Sequence, residues 1–248
     1  MILVLCHADD LPALWAYREL ARLHGDVQLV TADALAYALT WEHRITSADI
    51  TTSVTLAPGK SNGKSIRSGD VTGTLNRLHT IPGEHLAAAG ADRAYAEMEI
   101  YALFASWLAA LPGPVLNPAS PSGLSGSTWR SPAEWVVLAR QAGLSVLPRR
   151  ESDSDDPDAL MMPPPYDGTR MVLVAGDDVI GGNAPTEVCE RAGSLARKNG
   201  LSIAGVSFLV DRGVWRFHSL TLLPDLRLGG ARTIDALSRA LTATECFA

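Results

Sequence analysis

The stretch from Gly200 to Leu226, GLSIAGVSFLVDRGVWRFHSLTLLPDL, constrains the fold more than any other part of the chain. Ile203 to Val210 is an apolar, β-favouring run. Val214 to Leu222 is a second one, with a few polar interruptions. Between them Asp211-Arg212-Gly213 has the chemistry of a tight turn, where aspartate and glycine tolerate positive φ. Pro224 closes the second run, since proline cannot donate to a ladder. Two such runs joined so tightly pair antiparallel, and an isolated pair is barely stable in water. The hairpin therefore implies a larger sheet with helices or strands covering it.

A chain of 248 residues accommodates one large domain or two small ones, and 47% hydrophobic residues supply a packed core. The formal charge of −6 is scattered, and no basic stripe with interleaved aromatics occurs, which argues against nucleic-acid binding. Cys6, Cys189 and Cys246 lie far apart, without metal-ligand spacing, and an odd number argues against a disulfide framework. The opening MILVLCHADD lacks the basic flank and long apolar core of a signal peptide. No run approaches the ~18 apolar residues of a membrane span. The expectation is a soluble, cytoplasmic protein without membrane contact.

Ile2 to Cys6 reads as a buried strand. The helical periodicity of Leu14, Tyr17, Leu20, Ala21 and Leu23 follows, with Pro12 in the first turn. Val27 to Val30 is a second strand and Ala32 to Leu39 a second helix. This β-α-β-α opening implies a parallel sheet. Thr52 to Leu56 and Val71 to Leu75 are further strands, with a loop at 58–65 between them. In open α/β sheets ligands gather beyond the carboxyl ends of strands. His7, Asp9, Asp10, Asn76 and Arg77 lie there and form the substrate-binding candidates, suited to a small carboxylate or phosphorylated ligand. Against this stands a structural use, in which Asp9 or Asp10 caps the first helix and Arg77 pairs with a carboxylate.

Asp92 to Leu111 predicts a long helix, apolar on nearly all sides from Ile100 and so expected to be buried on more than one face. Ser131-Pro132-Ala133-Glu134 is a capping box opening another helix, which ends at Gly143. Residues 149–169 then change character, with five acidic residues and four prolines from Arg149 to Pro165. This interval reads as a mobile acidic linker. Met171 to Ala175 and Val179-Ile180 form a strand pair, Thr186 to Lys198 an amphipathic helix, and Thr233 to Leu241 the last helix.

Several segments, in order, resemble ATP-grasp ligases of the ribosomal-protein glutamate ligase and glutathione synthetase branch. They are Leu116-Asn117, the capped helix from Ser131, AGLSVLP at 142–148, TRMVLVAGDDVIG at 169–181, LARKNGLSIAGVSFL at 195–209 and SLTLLP at 219–224. The resemblance implies an α/β fold in two lobes. A Rossmann-like N-terminal lobe would occupy 1–116, and a reduced ATP-grasp-like α+β lobe 117–248, with the linker at 149–169.

In that family an Asp, a Glu and an Asn of the hairpin hold the magnesium ions of Mg-ATP. The matching positions here are Ser207, Ser219 and Thr221. None is charged, and magnesium takes oxygen ligands that usually include carboxylate. The interval 149–169 replaces a subdomain whose lysines contact the phosphates, and it contains no lysine. The resemblance thus implies a degenerate, shortened relative that has lost ATP and magnesium binding. Such a chain would serve as a non-catalytic binding or scaffold subunit, with a protein partner or a second copy of itself, beside an active biosynthetic enzyme. Two alternatives stand beside it. One is a ligase with atypical metal ligands from Asp177, Asp211 or Asp225. The other is a repurposed enzyme using the N-terminal candidates, with His7 as acid or base.

Overall fold

A computed structural model describes residues 1–58, 64–120, 123–126, 130–147 and 168–243, apart from the side chains of residues 85, 87 and 88. The expected linker lies outside the described residues except for its last two positions. The fold is mixed α/β. It divides into two units, Met1–Thr128 with Asp225–Ala248, and Trp129–Pro224. The final segment thus returns to the first unit, whereas the boundary at 116/117 assigned it to the second. Helix α6 (Ala231–Thr242) packs on α1 (Leu11–Leu23) and β6 (Gly73–Asn76), with Ile234, Leu237 and Leu241 buried. An apolar stripe shows that a face is covered, not which core covers it.

In the first unit β1 (Ile2–Cys6), β2 (Val27–Thr31), β6 and β7 (Val115–Leu116) form a parallel sheet in the order β2-β1-β6-β7. The chain winds from β1 to β2 in one direction and returns on the other side of β1 with β6. A crevice therefore opens between the carboxyl ends of β1 and β6. Every residue of β1 is buried, as a strand with both faces covered requires. Helix α2 is shorter than expected, Ala32–Ala36, because the chain turns at once into β3 (Thr40–Ile45). With β4 (Ile50–Thr55) and β5 (Ser65–Arg67) it forms a separate antiparallel sheet, β3-β4-β5. Trp41 of β3 sits against Phe104 and Trp107, at ring distances of 5.2 and 5.6 Å. Those two rings belong to α3 (Arg93–Ala109), where Phe104, Trp107 and Leu108 form one buried face. From Ile100 onward the burial is one-sided rather than on several faces: Phe104, Trp107, Leu108 and Leu111 are buried, while Ala102, Ser106 and Ala109 are exposed. The exposed positions within the apolar run are mostly alanines, which lose little by facing water.

In the second unit α4 (Pro132–Gln141) begins with the full capping box, Ser131 accepting from the Glu134 N–H and Glu134 accepting from the Ser131 N–H. β8 (Thr169–Ala175), β9 (Asp178–Ile180), β10 (Ile203–Asp211) and β11 (Val214–Thr221) make an antiparallel sheet in the order β11-β10-β8-β9. The β10–β11 turn has Arg212 at φ 49° and Gly213 at φ 80°, the paired left-handed geometry of a two-residue hairpin loop. One face of this sheet carries Val172, Val174, Ala204, Val206, Phe208 and Phe217. They pack with Trp135 and Ala139 of α4 and with Ala192, Leu195 and Ala196 of α5 (Thr186–Lys198). Among the described residues no helix is long and apolar enough to cross a membrane.

Candidate functional site

The candidates of the first unit are brought to the crevice between β1 and β6, but most are spoken for by the fold. Asp10 accepts from the Ala13 N–H at 3.0 Å and caps α1. Both of its oxygens also receive Arg77, from Nε at 2.7 Å and from Nη2 at 3.1 Å. Arg77 is 2% exposed. A guanidinium so enclosed and paired is a strut and not a free anion receptor. Asn76 is buried and donates from Nδ2 to the carbonyls of Asn117 and Leu124, at 2.9 and 2.6 Å, while its Oδ1 accepts from the Leu78 N–H. It pins the loop that follows β7, and Ser125 donates back to the Asn76 carbonyl at 3.1 Å.

His7 and Asp9 remain open. A cavity of about 370 Å³ at the strand ends is lined by His7, Asp9, Asp33, Thr80 and Glu84. The His7 ring lies 4.1 Å from that of His79, and its Nε2 is 3.5 Å from Thr80 Oγ1. Burial, with the His79 ring beside it, holds the His7 imidazole below its usual range, although Asp9 acts in the opposite direction. Among the described residues three carboxylates line this cavity and no guanidinium does. That setting repels a carboxylate ligand and suits a cation. Asp33, Thr80 and Glu84 had no signal in the sequence, because they come from a helix and a loop distant in the chain. Below them burial pushes the Cys6 thiol up to about 12, with Asp10 adding to the effect, so this cysteine is an inert core residue.

The hairpin positions do come together. Ser207 on β10 is the direct partner of Ser219 on β11, and Gly205 is the partner of Thr221. Paired residues share a face and alternate residues return to it, so all three hydroxyls lie on the side of the sheet opposite α4 and α5. Ser207 also pairs with Met171 on the same face. Gly205 is required by crowding there: a Cβ would stand 2.8 Å from Pro224 Cβ, 2.9 Å from Met171 Sδ and 2.9 Å from Thr221 Cγ2. Among the described residues no group of three or more His, Cys, Asp or Glu side chains could hold a metal ion. Asp211 shares the face but lies four residues along β10, roughly 13 Å from Ser207 at the rise of a strand. It pairs instead with Arg216, at 3.6 Å. Asp177 sits in the β8–β9 turn, beyond the other end of the same rows. Asp225 receives Arg227 at 2.8 and 2.7 Å, and this hydrogen-bonded guanidinium holds its carboxyl below the usual range. Neutral hydroxyls alone do not fit a magnesium ion, whose hydration they cannot replace.

The sequence also offers Trp129, Trp135 and the Met161-Met162-Pro163 segment as an exposed contact surface; Trp129 and Met161-Met162-Pro163 lie outside the described residues. Trp135 is packed in the second core, with Arg130 stacked 5.7 Å from its ring.

No family model matches the chain, and no curated protein does. Solved structures do match over nearly its whole length. The macrocyclase MdnB from Microcystis aeruginosa MRC is 13% identical with a TM-score of 0.74, covering 98% of this chain and 99% of that one. The macrocyclase MdnC of the same organism, bound with precursor peptide MdnA, is 11% identical with a TM-score of 0.74, covering 98% and 100%. A RiPP-associated ATP-grasp ligase from Chryseobacterium gregarium, in complex with ADP and a leader and core peptide, is 11% identical with a TM-score of 0.70, covering 97% and 96%. At these identities the likeness is one of fold, and the fold is that of ATP-grasp ligases.

Proposed function

We propose that this chain is a peptide-binding protein with an ATP-grasp fold that has given up Mg-ATP-dependent ligation and acts as a binding subunit beside an active biosynthetic enzyme. One observation carries the loss of chemistry. The three positions that resemblance assigns to metal ligands are gathered on one sheet face as Ser207, Ser219 and Thr221, with no carboxylate beside them in the rows they form. Phosphoryl transfer depends on cations that bridge and neutralise the phosphates, and among the described residues the rows of Ser207, Ser219 and Thr221 offer no carboxylate to hold them. Peptide as the bound class is supported by the neighbours of like fold, two of which are bound to precursor or leader and core peptides. The parallel sheet of the first unit supports a Rossmann-like lobe, and the four-stranded sheet with α4 and α5 supports a reduced ATP-grasp core.

Calorimetric titration with Mg-ATP tests this reading. Absence of saturable binding at micromolar concentration is the expected result. Micromolar binding accompanied by phosphate release would overturn it.

A second reading, in which the first unit binds a small molecule, has the cavity at His7, Asp9, Asp33 and Glu84 in its favour. It calls for an amine or guanidinium ligand, and an arginine or spermidine titration lost in Asp33→Asn tests it.

A further inference from the structure

We propose that the chain pairs with a second copy of itself through the free edge of β3, joining two three-stranded sheets into one continuous sheet. Nothing in this pairing depends on the reading above. In the sheet β3-β4-β5, β3 has a partner on one side only. The Thr46 N–H donates to the Asp49 carbonyl at 2.9 Å and closes the β3–β4 hairpin with a hydrogen-bonded pair. Bonded and non-bonded pairs alternate along an antiparallel ladder. Arg44 with Thr51, Glu42 with Ser53 and Thr40 with Thr55 are therefore the bonded pairs. The Thr52 N–H points away from β3 and donates to Ser68 Oγ at 3.0 Å, as this alternation requires. The N–H and C=O groups of Trp41, His43 and Ile45 thus face the free edge, and among the described residues no other backbone group bonds to them. The edge is six residues long, TWEHRI, without the proline or lysine that blunts an exposed strand.

Charge decides the occupant and its register. Trp41 and His43 face α3, so Glu42 and Arg44 lie on the opposite face, both exposed, with Arg44 Nη2 3.6 Å from Glu42 Oε1. An antiparallel second copy must bring its own outward groups against these, which places the two-fold axis on a residue of β3. An axis at Glu42 or at Arg44 sets that residue against itself, and like charges directly opposite are destabilising. An axis at Trp41 or Ile45 leaves both charges without a charged partner and half the strand unpaired. An axis at His43 pairs the whole strand and sets Glu42 of each copy opposite Arg44 of the other, twice over. These are non-bonded pairs, in which side chains stand closest. The same register covers apolar surface. It sets Ile45 opposite Trp41 of the other copy, with Leu39 at the diagonal. Ile45 is 72% exposed, Leu39 61%, and Ile50, the partner of Ile45 across the hairpin, 53%. Trp41 is already anchored on Phe104 and Trp107, so the incoming isoleucine meets a ring held in place.

Sedimentation equilibrium of the purified chain, from low micromolar to submillimolar concentration, tests this. A reversible dimer of the 26.4 kDa chain is expected. Glu42→Arg alone and Arg44→Glu alone should each weaken it roughly tenfold or more, because both cross-strand pairs become like-charged. Mixed in equal amounts, the two variants should form a heterodimer in which every such pair is opposite in charge. The double variant should dimerise as wild type does. Ile45→Pro removes an outward N–H without touching the bonds to β4 and should abolish the dimer. Thermal melting confirms that each variant is folded. A monomer at every concentration overturns the proposal and leaves the edge to a strand of another protein. A dimer indifferent to the single charge reversals, or one that the mixture fails to rebuild, overturns it as well. In each case the proposed function stands or falls separately, on the Mg-ATP titration.

Discussion

Arg77 reaches both carboxylate oxygens of Asp10, at 2.7 and 3.1 Å, while Asp10 also caps α1. One aspartate thereby joins the ends of two neighbouring parallel strands to the first turn of a helix. The pair is nearly dry, with side-chain exposures of 2% and 12%. Removing one member strands the other charge. Arg77→Ala should destabilise the protein by about 3 kcal/mol, read as a shift of the urea midpoint. A loss within the range of a surface pair would show that Asp10 recovers its hydration and that the strut is dispensable.

Gly205 is held to glycine by its surroundings on the hairpin face, with Pro224, Met171 and Thr221 all inside normal Cβ contact distance. Gly205→Ala should cost about 1–3 kcal/mol through overpacking. Pairing it with Met171→Ala should return part of that loss, because the sulfur is the most yielding of the three neighbours. Equilibrium unfolding of the single and double variants checks both statements.

His7 makes stability depend on pH. Its imidazole is held below the ordinary value of 6.5. Above that value both folded and unfolded chains carry it neutral, so its contribution is constant. As pH falls through 6.5 the unfolded chain takes up a proton that the folded chain resists, and stability declines until the lowered folded value is passed. His7→Gln should flatten this part of the profile. Urea midpoints of the two proteins between about pH 7.5 and about pH 5.5 measure it, and parallel slopes would sink the idea.

Introducing the ligands that the resemblance assigns to these positions offers a converse experiment. In Ser207→Asp, Ser219→Glu, Thr221→Asn the added carboxylates repel each other in the absence of a cation. The triple variant should therefore melt lower than wild type in chelator, and millimolar Mg²⁺ should return about 1–3 kcal/mol. Wild type should not respond to Mg²⁺. A variant equally indifferent to the ion would mean that the three positions do not converge closely enough to share it.

Much of the architecture was legible along the chain. The capping box at Ser131 and Glu134, the helix Thr186–Lys198 and the turn at Arg212-Gly213 are local events, governed by residues three or four apart. Counting back from Pro224 placed Ser219 and Thr221 at their motif positions by resemblance, whereas the pairing of Ser207 with Ser219 is seen only in the ladder. The strand Thr40–Ile45 was not legible, because its polar TWEHRI run is held by Trp41 against Phe104 and Trp107 of α3 and by pairing with β4. The roles of Asn76 and Arg77 were not legible either. Both stand where ligand-binding residues stand, and only their partners show them bound into the fold.

By itself the sequence determined most of the strands and helices, and which residue types stand at the hairpin positions. Those properties depend on side-chain period, turn chemistry and residue identity, all carried by neighbours in the chain. Tertiary structure alone decided that the last helix returns to the first unit. It alone lined the His7 cavity with Asp33 and Glu84, took Asp10 and Asp225 out of service with arginines, and paired Ser207 with Ser219. Each of these is a meeting of groups at close range, and Coulomb and hydrogen-bond energies depend on that range. Spacing along the chain leaves it undetermined.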